Sequence, residues 1–189
     1  DYTAKAAPDG YTLMSADTAT LAANPFLYSR LPYDAEKSFT PVGLTVRFPL
    51  ILVVNPTVPA KNLNEFIDWA GKQNGAAYGT PGSGSPHHLA TALFAQQAKL
   101  QLTHVPYRGA APAVQDVVGG QVPFMFVDTA GGSQFISSGK LRPIGVASAQ
   151  RVPGFDNIPT LSEQGLKGFE AYAWQGLVMP AGVPADIVQ

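Results

Sequence analysis

The stretch YGTPGSGSPHHL, residues 78–89, is typical of a strand that ends in a Gly/Ser loop and continues into a helix. Ser85 is a good helix N-cap, and Pro86 suits the first helical position. The first backbone amides of a helix have no intrahelical partner, and the helix dipole is positive there. Glycines let an anion approach the backbone, and Ser and Thr hydroxyls add donors. The stretch therefore predicts a pocket for a small anion that needs no lysine.

The segments on both sides of this loop alternate between strand and helix. Leu50–Val54 is an apolar run that fits a strand buried on both faces, as in parallel sheets. Residues 62–72 place apolar side chains at helical spacing, and Asn62 can cap the helix. Further strands are predicted at 11–15, 76–79, 102–107, 123–127, 142–148 and 172–179, and helices at 16–24, 86–98, 111–119 and 132–138. The order predicts an α/β fold with a parallel or mixed sheet covered by helices.

Polar residues follow two of the predicted strands at their carboxyl ends, where α/β sheets bind ligands. Asp128 follows an apolar strand, and Ser15 and Thr18 follow the strand that begins at Tyr11. Each of the three has a simpler alternative, which is to cap the next helix. The 78–89 stretch has one too, because a capped helix after a flexible turn needs the same residues.

The composition limits the classes of function. With 12 Lys and Arg against 13 Asp and Glu, the formal charge is −1, so no basic surface for nucleic acid is expected. The absence of cysteine rules out disulfides and thiolate chemistry. No apolar run reaches the length of a membrane-spanning helix. The chain opens at Asp1 without a start Met or signal peptide, so we expect a mature or trimmed form.

No pattern in the sequence predicts catalysis, a metal site or a cofactor. His87 and His88 are adjacent and would point about 100° apart on a helix, and His104 lies on another element. Ser83 lacks the G-x-S-x-G context of a hydrolase nucleophile. The loop also lacks the Lys-Ser/Thr of a P-loop and the glycine spacing of a dinucleotide site. We therefore expect a protein that is not an enzyme.

A set of motifs spread over essentially the whole chain resembles one protein family, the Bug-type receptors, which are the periplasmic solute-binding proteins of tripartite tricarboxylate transporters. Each motif alone is weak, and the combination in this order is specific. The motifs are AAPDGYTL (6–13), NP (24–25), LPYD (31–34), FTPV (39–42), the segment 79–89, HVPYRG (104–109), GGQV (119–122), GKLR (139–142), IPTLSEQG (158–165), Trp174 and PAGVP (180–184).

The resemblance implies a type II periplasmic-binding-protein fold, with two α/β lobes and a ligand cleft between them. By position, residues 1–53 would belong to the first lobe and residues 54–173 to the second. Residues 174–189 would return into the first lobe. Family members are longer, so we expect the first lobe to be incomplete in this chain, without its first strand and its last helices.

The resemblance also implies a ligand and the residues that contact it. The ligand would be a small carboxylate: a di- or tricarboxylate, an amino acid or an aromatic acid. The expected contacts are Thr80, Gly82, Ser83 and Ser85 on the loop, Asp128 opposite them, and Ser15 and Thr18 from the first lobe. Arg108 and His88 are further candidates, and Arg108 has an internal ion pair as its alternative.

The expected function is an extracytoplasmic, periplasmic receptor that captures the carboxylate and passes it to membrane permease subunits. It would act as a monomer, without nucleic acid. Two alternatives stay open. One is a receptor of the same fold that reports its ligand to a signalling partner. The other is an α/β enzyme that acts on a carboxylate, which predicts a perturbed acid/base pair near Asp128.

Overall fold

A computed structural model describes residues 1–189, which fold as two compact units. One unit is Asp1–Arg47 with Ala173–Gln189, and the other is Phe48–Tyr172. Two strands, β2 (Phe39–Val54) and β7 (Tyr172–Pro180), contain the points where the chain passes between units. The lobe boundaries that the resemblance implies stay predictions. None of the helices combines the length and the apolar character that crossing a membrane requires.

The first unit is built around the antiparallel pair of β1 (Met14–Asp17) and the later part of β7, with Met14 opposite Val178. Ala16, Phe39 and Val178 form its small core. Its other elements are α1 (Tyr2–Lys5), a π-helical turn (Ala19–Ala23), α2 (Asn24–Leu27), the first part of β2 and α7 (Ala185–Val188).

The helix predicted for residues 16–24 is present but displaced toward the C-terminus, because residues 18–27 are continuously helical, and the strand before it was placed too early. Asp17 ends β1, because its Oδ1 accepts hydrogen bonds from the amide (2.9 Å) and the hydroxyl (2.8 Å) of Thr20. The turn that follows is π-helical. Asn24 and Pro25 do not end the helix as predicted, because α2 follows the π-helical turn without a break and the helical backbone continues to Leu27.

The second unit has a five-stranded mixed sheet in the order β6–β2–β5–β3–β4. β3 pairs in parallel with β4 and β5, whereas β2 is antiparallel to β5 and β6. This architecture confirms the α/β prediction. The remaining elements are α3 (Leu63–Lys72), β3 (Ala76–Thr80), α4 (Pro86–Ala98), β4 (Leu102–Pro106), α5 (Ala110–Val118), β5 (Phe124–Asp128), α6 (Thr129–Ser137) and β6 (Arg142–Val146).

Helices cover both faces of this sheet. On one face Phe124 packs edge-on against Phe66 of α3, with ring centroids 4.9 Å apart, and Phe94 of α4 lies in the same aromatic layer. Met125 and Val127 point to the other face and pack with α5. Residues Leu50–Val54 are therefore buried on both faces, as predicted, although their neighbouring strands run antiparallel. Two-sided burial comes from the helix layers and does not depend on strand direction.

Candidate functional site

The loop between β3 and α4, residues Thr80–Ser85, has a backbone that only glycine adopts easily. Gly82 has φ of 147° and Gly84 has φ of 78°, both in the region that side chains disfavour. Ser85 is the N-cap of α4: its Oγ accepts the His88 amide at 3.2 Å and donates to the Gly82 carbonyl at 2.7 Å. The predicted cap and helix start are confirmed.

Most amides of this loop are already bonded within the chain. Gly82 donates to Thr80 Oγ1 (3.2 Å), Gly84 donates to His88 Nδ1 (3.1 Å), and Ser85 donates to the Gly82 carbonyl (3.3 Å). The amides of Ser83 and His87 make no hydrogen bond within the chain. The open amide donors at this helix start are therefore two, those of Ser83 and His87.

The hydroxyls of the loop differ in burial and in whether they already make a hydrogen bond within the chain. The Thr80 side chain is fully buried, and its Oγ1 lies 2.6 Å from His104 Nε2. Ser85 uses its hydroxyl for the cap. Ser83, in contrast, is exposed, and its hydroxyl makes no hydrogen bond within the chain. Thr80 and Ser85 thus hold the loop in shape, and direct contact of either with a ligand stays a prediction.

Asp128 ends β5 and caps α6, so the capping alternative is correct for this residue. Its Oδ1 accepts the Gly131 amide at 2.6 Å. This cap starts α6 at Thr129, three residues before the predicted start at residue 132. The other carboxylate oxygen, Oδ2, lies 3.6 Å from His87 Nε2. The His87 imidazole lowers the pKa of Asp128, burial opposes this, and the Gly131 amide adds to the lowering.

His87 is the second residue of α4 and only 6% exposed, yet neither of its ring nitrogens has a hydrogen-bond partner. Because β3 and β5 are parallel neighbours, the N-termini of α4 and α6 lie at the same edge of the sheet. His87 and Asp128 meet between those two helix starts. The only expectation for His87 was that it would not bind metal, and its contact with Asp128 was missed because it depends on strand order.

Ser15 and Thr18, the predicted contacts in the first unit, do not cap a helix. Ser15 is exposed on β1, and the π-helical turn begins after Thr18 without a side-chain cap. Asp17 supplies the local hydrogen bonds in their place. Thr18 Oγ1 is buried and has no hydrogen-bond partner.

Arg108 and the histidines complete the neighbourhood of the loop. Arg108 is exposed and forms no ion pair, while Gly109 donates to the Pro81 carbonyl at 3.0 Å, which holds this segment against the loop. His88 and His104 stack face to face, with ring centroids 4.0 Å apart. No three His, Asp or Glu side chains come together in a group that could hold a metal ion.

Comparisons with known proteins agree on one class. The family model described as tripartite tricarboxylate transporter family receptor matches residues 1–189. A UPF0065 protein of Pseudomonas sp. (strain P51) is 37% identical over 191 residues, covering 100% of this chain. The alignment covers 56% of that relative, so the chain spans little more than half of its length.

Two solved structures extend the comparison to the fold. R. palustris Rpa4515, solved with adipate, is 32% identical and superposes with a TM-score of 0.94, over 99% of this chain and 63% of that one. The periplasmic binding protein BugD is 34% identical with a TM-score of 0.90, over 98% of this chain and 62% of that one. BugD is named as a periplasmic binding protein, and the high TM-scores confirm the predicted periplasmic-binding-protein fold. The chain belongs to the tripartite tricarboxylate transporter receptor family.

Proposed function

We propose that this protein is an extracytoplasmic receptor that captures a small carboxylate and passes it to the membrane permease of a tripartite tricarboxylate-type transporter. Family membership supports a solute receptor. The adipate of the R. palustris structure supports a carboxylate as the class of ligand. A periplasmic location is proposed from the naming of BugD as a periplasmic binding protein.

The observation that carries the proposal is the pair of open amides, Ser83 and His87, at the start of α4. Both lie where the helix dipole is positive, so an anion is favoured by about 0.3–2 kcal/mol in addition to its hydrogen bonds. The exposed Ser83 hydroxyl adds a third donor. Since the other loop amides are held internally, the loop is formed before the ligand arrives, which lowers the cost of binding.

The proposed contacts keep the residues predicted from the sequence and give them distinct parts. Ser83 donates to the carboxylate, and Gly82 leaves room for its approach. Thr80 and Ser85 support the loop, and Asp128 faces the far end of the ligand. Ser15 and Thr18 stay predicted contacts from the first unit on the strength of the resemblance.

Isothermal titration of the protein with adipate, malate, citrate, glutamate and benzoate tests the proposal. Adipamide is the matched control, because it keeps the chain length of adipate and removes both charges. We expect heat of binding with at least one acid and none with the diamide. No binding to any acid, or equal binding of adipate and adipamide, would contradict the proposal.

A further inference from the structure

The imidazole of His88 is part of a three-ring stack beside the loop. Its ring lies 4.0 Å from that of His104, centroid to centroid, with 9° between the planes. The Tyr78 ring lies 5.1 Å from His104 and 6.5 Å from His88. Tyr78 and His104 are opposite each other in the β3–β4 pair, so the sheet sets the position of the stack.

The same imidazole holds the loop. Its Nδ1 accepts the hydrogen bond of the Gly84 amide at 3.1 Å. An amide N–H can only donate, so Nδ1 must carry no proton and the ring must be neutral, with its proton on Nε2. Gly84 is buried and has φ of 78°. If Nδ1 were protonated, the Gly84 amide would face a second donor and lose its acceptor, which is costly for a buried group.

The surroundings of His88 favour this neutral form. The titratable groups that face it are Tyr78 from β3 and His104 from β4, and no carboxylate forms an ion pair with it. Burial lowers the pKa of His88 below its ordinary value of about 6.5. Burial and the neighbouring His88 lower the pKa of His104 in the same way. Since no neighbouring carboxylate would stabilise a positive charge on either imidazole, both rings are expected to be neutral at neutral pH.

We propose that His88 is a positioning residue whose neutral imidazole holds the Thr80–Ser85 loop in its anion-binding shape, so that protonation of His88 in acid opens the loop and releases the carboxylate. His104 keeps the ring in place by stacking and by its contact with Thr80. This inference rests on the proposed function, since it assigns regulation to the same loop. It goes further because it makes carboxylate binding depend on whether His88 Nδ1 carries a proton.

The test compares two substitutions at one position. His88→Asn keeps an acceptor oxygen near the place of Nδ1 and does not titrate. His88→Phe keeps an aromatic ring and removes the acceptor. Adipate affinity of the unsubstituted protein should fall by about tenfold per pH unit below the pKa of His88. We expect His88→Asn to bind more tightly than His88→Phe at about pH 8, and to lose less affinity in acid than the unsubstituted protein, because protonation of adipate itself affects every variant equally. His88→Phe should bind at least about tenfold more weakly at every pH, as the loss of one hydrogen bond to a buried amide requires.

His87 is the internal control, because it stays in both variants. If His88→Asn lost affinity in acid as steeply as the unsubstituted protein, the proton would act elsewhere and the inference would fail. Full affinity of His88→Phe at about pH 8 would also overturn it, because the acceptor would then be dispensable.

A readout without ligand separates this inference from the proposed function. In an NMR pH titration, the amide signal of Gly84 should follow the titration of the His88 ring, and in His88→Asn it should no longer move over that range. If the Gly84 amide signal did not move while His88 was protonated, the inference would be contradicted even if carboxylates bind. If no acid binds at any pH while Gly84 still follows His88, the proposed function fails and the loop mechanism stands.

Discussion

Asp128 Oδ2 lies 3.6 Å from His87 Nε2, and this contact joins the N-terminal ends of α4 and α6. The aspartate is charged at neutral pH, because its pKa is lowered by the imidazole and by the Gly131 amide. A carboxylate repels an anion, so Asp128 is suited to accept a hydrogen bond from a hydroxyl or amino group of the ligand. Its proposed part is thus to select among acids.

Asp128→Ala should change this selection and Asp128→Asn should change it less, because asparagine keeps an acceptor oxygen. Malate and succinate are the matched ligands, since they differ by one hydroxyl. We expect the ratio of malate to succinate affinity to fall by about tenfold in Asp128→Ala, as the loss of one charge-assisted hydrogen bond requires. Calorimetry measures both affinities. An unchanged ratio would remove the aspartate from ligand selection.

The lowered pKa of Asp128 also predicts how stability depends on pH. A carboxyl whose pKa is lower in the folded than in the unfolded protein stabilises the fold above the unfolded value of about 3.9. That stabilisation is lost as the pH falls through the lowered folded value. Urea unfolding of the unsubstituted protein and of Asp128→Asn should therefore differ at about pH 6 and converge in stronger acid. A difference that stays constant down to about pH 2 would contradict this.

Gly84→Ala should damage both the loop and binding. An alanine at φ of 78° lowers the stability of the fold by about 1–2 kcal/mol, and it disturbs the hydrogen bond from the residue 84 amide to His88 Nδ1. Gly154→Ala is the matched control: its φ is 84°, and an added Cβ meets nothing within 4 Å. Gly84→Ala should lose more stability than Gly154→Ala in thermal unfolding, because it also disturbs a buried hydrogen bond, and only Gly84→Ala should lose adipate affinity. Equal affinity in the two variants would argue against the loop as the binding element.

Ser83→Ala should have a small effect, because the Ser83 amide remains. Loss of one hydroxyl hydrogen bond is worth about 0.5–1.5 kcal/mol, which corresponds to about a two- to tenfold weaker affinity. Stability should not change, since the hydroxyl makes no bond within the chain and the residue is exposed. A loss of about a hundredfold or more in calorimetry would show that the hydroxyl, and not the backbone, is the main donor.

Local signals made part of the fold predictable. Ser85 followed by Pro86 sets the start of α4, and Asn62 caps α3 by accepting the amide of Glu65. Such caps depend on residues three or four positions apart, so the sequence shows them directly. One local signal misled the prediction: Asn24-Pro25 was expected to end the helix, and the helical backbone continues through it to Leu27.

The rest of the site depends on which strands are neighbours. His88 and His104 stack because β3 and β4 pair in the register that sets Tyr78 opposite His104. His87 meets Asp128 because β5 lies on the other side of β3. Long-range pairing of this kind leaves no trace in the spacing of residues along one element. The residues of the loop indicated an anion pocket, and the structure was needed to show that the Ser83 and His87 amides are open and that the Gly84 amide donates to His88.

The central claim is that the open amides of Ser83 and His87 receive the carboxylate. Amide chemical shifts recorded during a titration with adipate, with adipamide as the control, test it most directly. We expect the Ser83 and His87 signals to shift most and to saturate with the acid, and to stay in place with the diamide. Saturating shifts confined to other parts of the chain, with both signals unmoved, would contradict it.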